Sequence, residues 1–135
     1  MKIRVAFISN DMRQMKYALN DFIEVNAGQI EKIDKRTRSI MMNDGTIIQG
    51  ISCGARSLKD CHYEQIIVAT DRRGTSGWRQ QSRKFFEDLQ EKLYPSDIPE
   101  EKRVVYYDID SEDRRYVSLH GCHTMGASVG SEETQ

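Results

Sequence analysis

Two stretches of the chain are apolar almost without interruption, Ile3–Ser9 (IRVAFIS) and Gln65–Thr70 (QIIVAT). Both are short and rich in β-branched residues, which predicts strands buried on both faces rather than half-buried ones. A helical period follows the first. Met15, Ala18, Leu19, Phe22 and Ile23 share one face between Met12 and about Val25, with Lys16, Asn20 and Glu24 off it. Ser9, Asn10 and Asp11 supply oxygens suited to capping its start, and Asn26 and Gly28 suit its end. The second apolar stretch also leads to an amphipathic helix, with Trp78, Phe85, Phe86, Leu89 and Leu93 on its inner side and Pro95 and Pro99 at its exit.

The pattern between the helices is shorter and more broken. Ile30 and Ile33 begin a brief strand that stops at the polar segment Asp34–Arg38. Ser39–Met42 and Thr46–Ile51 flank Asn43-Asp44-Gly45, a strong hairpin signal because glycine takes positive φ without a Cβ clash. Gly50 marks a candidate bulge. Arg103–Tyr107 (RVVYY) is a last β segment. The expected fold is α/β, a mixed β-sheet with two helices in the order β-α-β-β-β-α-β. Residues 1–120 form one expected domain, and the small, polar, aperiodic segment 121–135 an expected disordered tail.

Composition narrows the function classes. A chain of 135 residues suits one domain, which at this size buries roughly two-thirds of its unfolded surface and needs no disulfide or metal staple. Net charge is −1, which argues against a general nucleic-acid coat, since non-specific affinity comes from neutralising phosphates. No apolar stretch is long enough to span a bilayer, and the strand pattern at the start leaves no room for a signal peptide. Cys53, Cys61 and Cys122 have no framework spacing and read as reduced thiols of a cytoplasmic protein.

The richest chemistry lies in Thr70–Gly77 (TDRRGTSG), where a buried strand ends and a loop leads towards a helix. Ligands of α/β sheets gather at the carboxyl ends of strands, and a helix N-terminus offers free N–H groups to a phosphate. Arg72, Arg73, Gly74, Thr75 and Ser76 therefore form a candidate phosphate loop, the arginines adding bidentate contacts. Trp78 is the candidate to stack on a base and Arg79 a flanking contact, although helical spacing favours Trp78, Phe85 and Phe86 as core. Asn10 and Arg13 after the first strand, and Cys53, Gly54, Ala55 and Arg56 after the hairpin, join the same crevice if these strand ends converge. The plain alternative is that Thr75 or Ser76 caps the helix and the arginines are solvated.

Other clusters are weaker. Cys61-His62 and His120-x-Cys122-His123 contain zinc-ligand types without zinc-site spacing. Asp108, Asp110, Glu112 and Asp113 form an acidic segment that could serve metal-dependent nuclease or phosphodiesterase chemistry with Asp71. Arg114 and Arg115, which follow, could neutralise it or reach a neighbouring subunit's pocket. No catalytic set, metal or cofactor is expected.

The segment from the first strand to Asp71 resembles the ATPase core of phage terminases and related RecA-like helicases. The shared order is a strand and helix, a strand with the turn Asn43-Asp44-Gly45-Thr46, a loop, and the buried strand Ile66–Asp71 with an acidic end. The departures are large. No G-x-x-x-x-G-K-[ST] loop exists, Thr70 stands where the family has its magnesium-binding aspartate, and Asp71 stands for its catalytic glutamate. The resemblance thus implies a module that binds without hydrolysing. The chain is also similar, in size, α/β layout and arginine-rich loops, to phage anti-defence sponges that sequester Thoeris signals. That resemblance implies non-catalytic sequestration by a homo-oligomer of a cyclic ADP-ribose isomer or cyclic oligonucleotide. A protein-interaction or phage accessory subunit is the remaining class.

Overall fold

The two apolar stretches lie side by side at the centre of one six-stranded sheet. The computed structural model describes residues 3–53, 62–93 and 98–114. Its elements are β1 (Arg4–Ile8), α1 (Met12–Val25), β2 (Ile30–Asp34), β3 (Ser39–Met42), β4 (Ile47–Gly50), β5 (Gln65–Thr70), α2 (Gln80–Glu91) and β6 (Val104–Asp108). This is the mixed α/β sheet with two helices that the hydrophobic pattern predicts, with one strand more between the helices. The extra strand arises because Ile30–Asp34 pairs with β3 despite its polar composition, with a register shift between Ile30 and Lys32. Arg56, Cys61, His120, Cys122, His123 and segment 121–135 lie outside the described residues.

The sheet order is β2-β3-β4-β1-β5-β6. β1 runs parallel to both β4 and β5, and β5 parallel to β6, while β2, β3 and β4 form an antiparallel meander. Every residue of β5 and the last four of β1 are buried, as a strand covered on both faces requires. Alternate residues of these strands feed two separate cores. Val5, Phe7, Ile67 and Ala69 pack with Met15, Ala18, Leu19 and Phe22 of α1. Ala6, Ile8, Ile66 and Val68 pack with Trp78, Phe85, Phe86 and Leu89 on the α2 side. The two helices therefore cover opposite faces.

Local chemistry fixes the ends. Asp11 caps α1, its Oδ1 accepting from the Gln14 N–H at 2.8 Å. Asn26 closes it, donating from Nδ2 to the Phe22 carbonyl at 3.0 Å. The β3–β4 turn is the expected one: Gly45 has φ +92°, and Asp44 Oδ1 accepts from the Thr46 N–H at 2.9 Å. Gly50 serves close packing rather than a bulge, for a Cβ there would lie 2.8 Å from Met15 Sδ and 3.1 Å from Leu19 Cδ2.

The far edge is tied to α1 by one carboxylate. Arg114 grips Asp21 with Nε to Oδ2 at 2.7 Å and Nη2 to Oδ1 at 3.0 Å. Tyr107 of β6 donates its hydroxyl to Oδ2 at 2.7 Å, and its ring stacks against Phe7 and Phe22 at centroid distances of 5.9 and 5.6 Å. Arg114 thus pairs with α1 instead of neutralising the acidic segment that precedes it. Its guanidinium, with help from Tyr107 and against some desolvation, holds the Asp21 carboxyl below its ordinary value of 3.8.

Two outcomes follow from this packing. Gly50→Ala lowers unfolding free energy by about 1 kcal/mol, because Met15 and Leu19 must shift in a filled core, and urea denaturation measures it. Asp21 has a depressed folded pKa, so its contribution is fully present above its unfolded value and disappears as pH falls below 3.8 through the folded value. Thermal melting of the wild type against Asp21→Asn should therefore show a stability gap at neutral pH that closes in strong acid.

Candidate functional site

Adjacent parallel strands whose following helices go to opposite faces leave a gap at their carboxyl ends, because the two outgoing loops diverge. β1 and β5 are such a pair. A cavity of about 350 Å³ opens at this point. Its walls are Ser9–Asn10 and the first turns of α1 on one side, and Ala69–Asp71, Arg73, Gly74, Gly77 and Trp78 on the other, with Ile109 beyond β6. The strand ends converge as their parallel pairing demands, since β4 also ends on this edge.

The floor is stitched by short polar contacts. Ser9 is buried, and its Oγ donates to the Ala69 carbonyl at 2.8 Å, joining the ends of β1 and β5. Cys53 Sγ donates to the Ser9 carbonyl at 2.9 Å. Burial pushes the Cys53 thiol above its ordinary range, only partly offset by a hydrogen bond with Ser82 and the charge of Arg79, so it stays protonated at neutral pH. Asn10 bridges to the other face: its Oδ1 accepts from the Arg79 N–H at 3.0 Å, and its carbonyl accepts from Ser82 Oγ and, at 3.3 Å, from Arg79 Nη2.

The Thr70–Gly77 loop is a series of turns held by its own side chains. Asp71 accepts from the Arg73 N–H at 2.8 Å and from its guanidinium at 2.6 and 3.0 Å. Gly74, at φ +66°, closes a turn by donating its N–H to the Asp71 carbonyl at 2.9 Å. Ser76 Oγ donates to the Arg73 carbonyl at 2.7 Å. Arg73 holds the Asp71 carboxyl below the ordinary carboxylate range, so Asp71 is an anion with its partner already in place.

Several expectations are corrected by this geometry. α2 opens at Gln80 behind Arg79, so neither Thr75 nor Ser76 caps it and the loop does not sit on its N-terminus. Of the proposed phosphate loop, Arg73 and Gly74 line the cavity; Arg72, Thr75 and Ser76 are not among its walls, and Arg72 is exposed. Trp78 reaches the cavity wall but is only 7 % exposed and packs on Phe86 at 6.4 Å, so its ring belongs to the α2-face core. Arg79 is engaged with Asn10 rather than lining the cavity. Arg56 lies outside the described residues.

Two wall residues escaped the sequence reading. Gln14 and Tyr17 join Arg13 on one flank of α1, beside Asn10 in the loop before it, and Tyr17 is 65 % exposed. The signal was available: positions 13, 14 and 17 follow the helical period just beside the apolar stripe. Among the described residues, no three of His, Cys, Asp or Glu group closely enough to hold a metal ion. Nor is any helix among them long and apolar enough to cross a membrane.

Asn10→Ala removes the side-chain acceptor of the Arg79 N–H, one of the contacts that join the end of β1 to α2, and should cost about 1 kcal/mol in chemical denaturation. Asn10→Asp keeps that acceptor and should preserve stability.

Comparison with family models, curated proteins and solved structures finds no match to this chain, so the reading of the site rests on its geometry.

Proposed function

We propose that the chain binds, without transforming, a small phosphate-bearing nucleotide-like ligand in the crevice between β1 and β5. The observation that carries this reading is the cavity of about 350 Å³ at the divergence of two parallel strands, with Arg13 and Arg73 in its walls. That volume is at the lower end for small-molecule sites, which suits one nucleotide-sized group per protomer. Arg73, positioned by Asp71, and Arg13, one α1 turn before Tyr17, supply the charge for a phosphate. Tyr17 takes the stacking role expected of Trp78, because it is an exposed aromatic beside that charge.

The binding reading is favoured over hydrolysis by the state of Asp71. A carboxylate already paired with Arg73 is a poor general base and a poor metal ligand. It also fits a terminase-type core that lacks its P-loop. The sponge role is the form of this proposal in which the ligand is a cyclic nucleotide signal held intact by a phage-encoded homo-oligomer. β6 offers an edge for such assembly, with Val105 and Tyr106 exposed by 39 % and 58 %.

Thermal melting against mononucleotides, dinucleotides, ADP-ribose isomers and cyclic oligonucleotides tests the proposal, together with mass spectrometry of the recovered ligand. A ligand at a hundred times its Kd adds about 2.7 kcal/mol of stability. Arg13→Ala and Arg73→Ala should each weaken binding roughly tenfold or more, whereas Arg72→Ala changes it little. Recovery of cleaved ligand would replace binding by phosphodiesterase chemistry. No shift with any compound, or full affinity in the Arg13→Ala/Arg73→Ala double variant, would remove the site assignment.

A further inference from the structure

The two edges of the sheet differ in composition. β2 closes one side with Glu31, Lys32 and Asp34, and with a register shift between Ile30 and Lys32. Charges and bulges of this kind keep a further strand from adding to an edge. β6 closes the other side with Val104, Val105, Tyr106 and Tyr107 in succession. Val105 and Tyr106 point to opposite faces and are both exposed, so neither helix overhangs this edge.

The backbone of the β6 edge is open as well. The Arg103 carbonyl accepts the Ile66 N–H at 2.7 Å, and the Ile109 N–H donates to the Thr70 carbonyl at 3.0 Å. Along a parallel strand such groups alternate, so the odd-numbered residues bond β5, while Val104 and Tyr106 turn N–H and C=O outward. Among the described residues no strand pairs with that side, since β6 is the last of the sheet.

We propose that β6 pairs antiparallel with β6 of a second copy of the chain, about a twofold axis normal to the sheet at Val105. The sequence around the strand is self-complementary in this register. Val104 falls opposite the partner's Tyr106, each donating its N–H to the other's carbonyl, and a β-branched residue meets an aromatic one. Exposed Lys102, two residues before Val104, falls opposite the partner's Asp108, so opposite charges close both ends. Centring the pair on Tyr106 instead would set Val104 against the partner's Asp108, whose carbonyl already accepts the Ser111 N–H at 3.0 Å, and would lose the charge match. The antiparallel direction also carries the partner's Lys102 to the carboxyl end of β6, beyond which Ile109 lines the β1–β5 crevice. The dimer itself does not depend on what that crevice binds.

Sedimentation velocity of the full chain from micromolar to near-millimolar concentration tests the pairing, beside isotope-filtered NMR of mixed labelled and unlabelled chains. A reversible monomer–dimer equilibrium is expected, with intermolecular contacts between Val104 and Tyr106. Tyr106→Lys should weaken association roughly tenfold or more, because a symmetric interface counts each substitution twice. Lys102→Glu should weaken it by setting like charges together. Adding Asp108→Asn, which keeps the acceptor of the Asp110 N–H, should recover part of that loss. Ile33→Lys, on the β2 edge, should leave association unchanged, and circular dichroism checks that each variant is folded. A monomer at every concentration, a dimer indifferent to Tyr106→Lys, or one weakened equally by Ile33→Lys would overturn the proposal. So would intermolecular contacts in another register. Contacts within one chain from residues 115–135 to Val104 and Tyr106 would overturn it too, by making the chain's own C-terminal segment the occupant of the edge.

Discussion

The double burial of β1 is the constraint from which the rest of the architecture follows. Val5 and Phe7 face one core, Ala6 and Ile8 the other, and all four are withdrawn from water. Such a strand needs a neighbour on each edge and a layer on each face, because every exposed apolar surface would cost about 25 cal/mol per Å². β4 and β5 provide the neighbours, both parallel, and α1 and α2 provide the layers. Parallel neighbours place their carboxyl ends together, and helices on opposite faces draw the outgoing loops apart. The crevice is thus a by-product of covering β1, created before any side chain is chosen to fill it.

What fills it is a small polar lattice that replaces the hydrogen bonds the diverging loops give up. Ser9 and Asn10, Cys53, and Ser82 come from three separate segments, and each residue bonds to backbone rather than to another side chain at its main contact. Backbone acceptors are fixed by the sheet, so the lattice inherits the rigidity of β1 and β5. This sets a division of labour within the crevice. The floor is determined by buried, satisfied groups, while Arg13, Tyr17 and Arg73 on the walls remain exposed to solvent. A ligand meeting such walls pays side-chain ordering but no remodelling of the floor.

The parts of this design legible in the sequence were those governed by uninterrupted or periodic apolar residues. IRVAFIS and QIIVAT could only be central strands, and Asn43-Asp44-Gly45 could only be a turn between the strands flanking it. β2 was read as a fragment because Glu31, Lys32 and Asp34 make its composition polar; as an edge strand it needs backbone pairing and almost no burial. The cavity lies at the strand end where the sequence places its candidate loop, but composition alone does not say which loop residues line it. Three basic and hydroxyl residues in TDRRGTSG, namely Arg72, Thr75 and Ser76, are not among the cavity walls, in a loop that Asp71, Gly74 and Ser76 fold upon itself. Trp78 went to the core, as its helical spacing with Phe85 and Phe86 already implied, and the open aromatic proved to be Tyr17 on the other helix.

Under the proposed function, the Asp71–Arg73 pair would suit the crevice to an anion that arrives and leaves. Arg73 is largely solvent-exposed, so its bond to Asp71 is made in high dielectric and competes with water; it orients the guanidinium without locking it. A phosphate settling between Arg73 and Arg13 would displace water and raise the strength of each charged contact by lowering the local dielectric. Asp71 would then act as an internal competitor, repelling the ligand while keeping Arg73 in place, which limits affinity and favours release. The same pairing withholds Asp71 from proton transfer, because a carboxylate with a depressed pKa accepts protons poorly at neutral pH. Positioning an arginine and sparing a base are one electrostatic fact, and under the proposed function that fact would favour holding a phosphate over cleaving it.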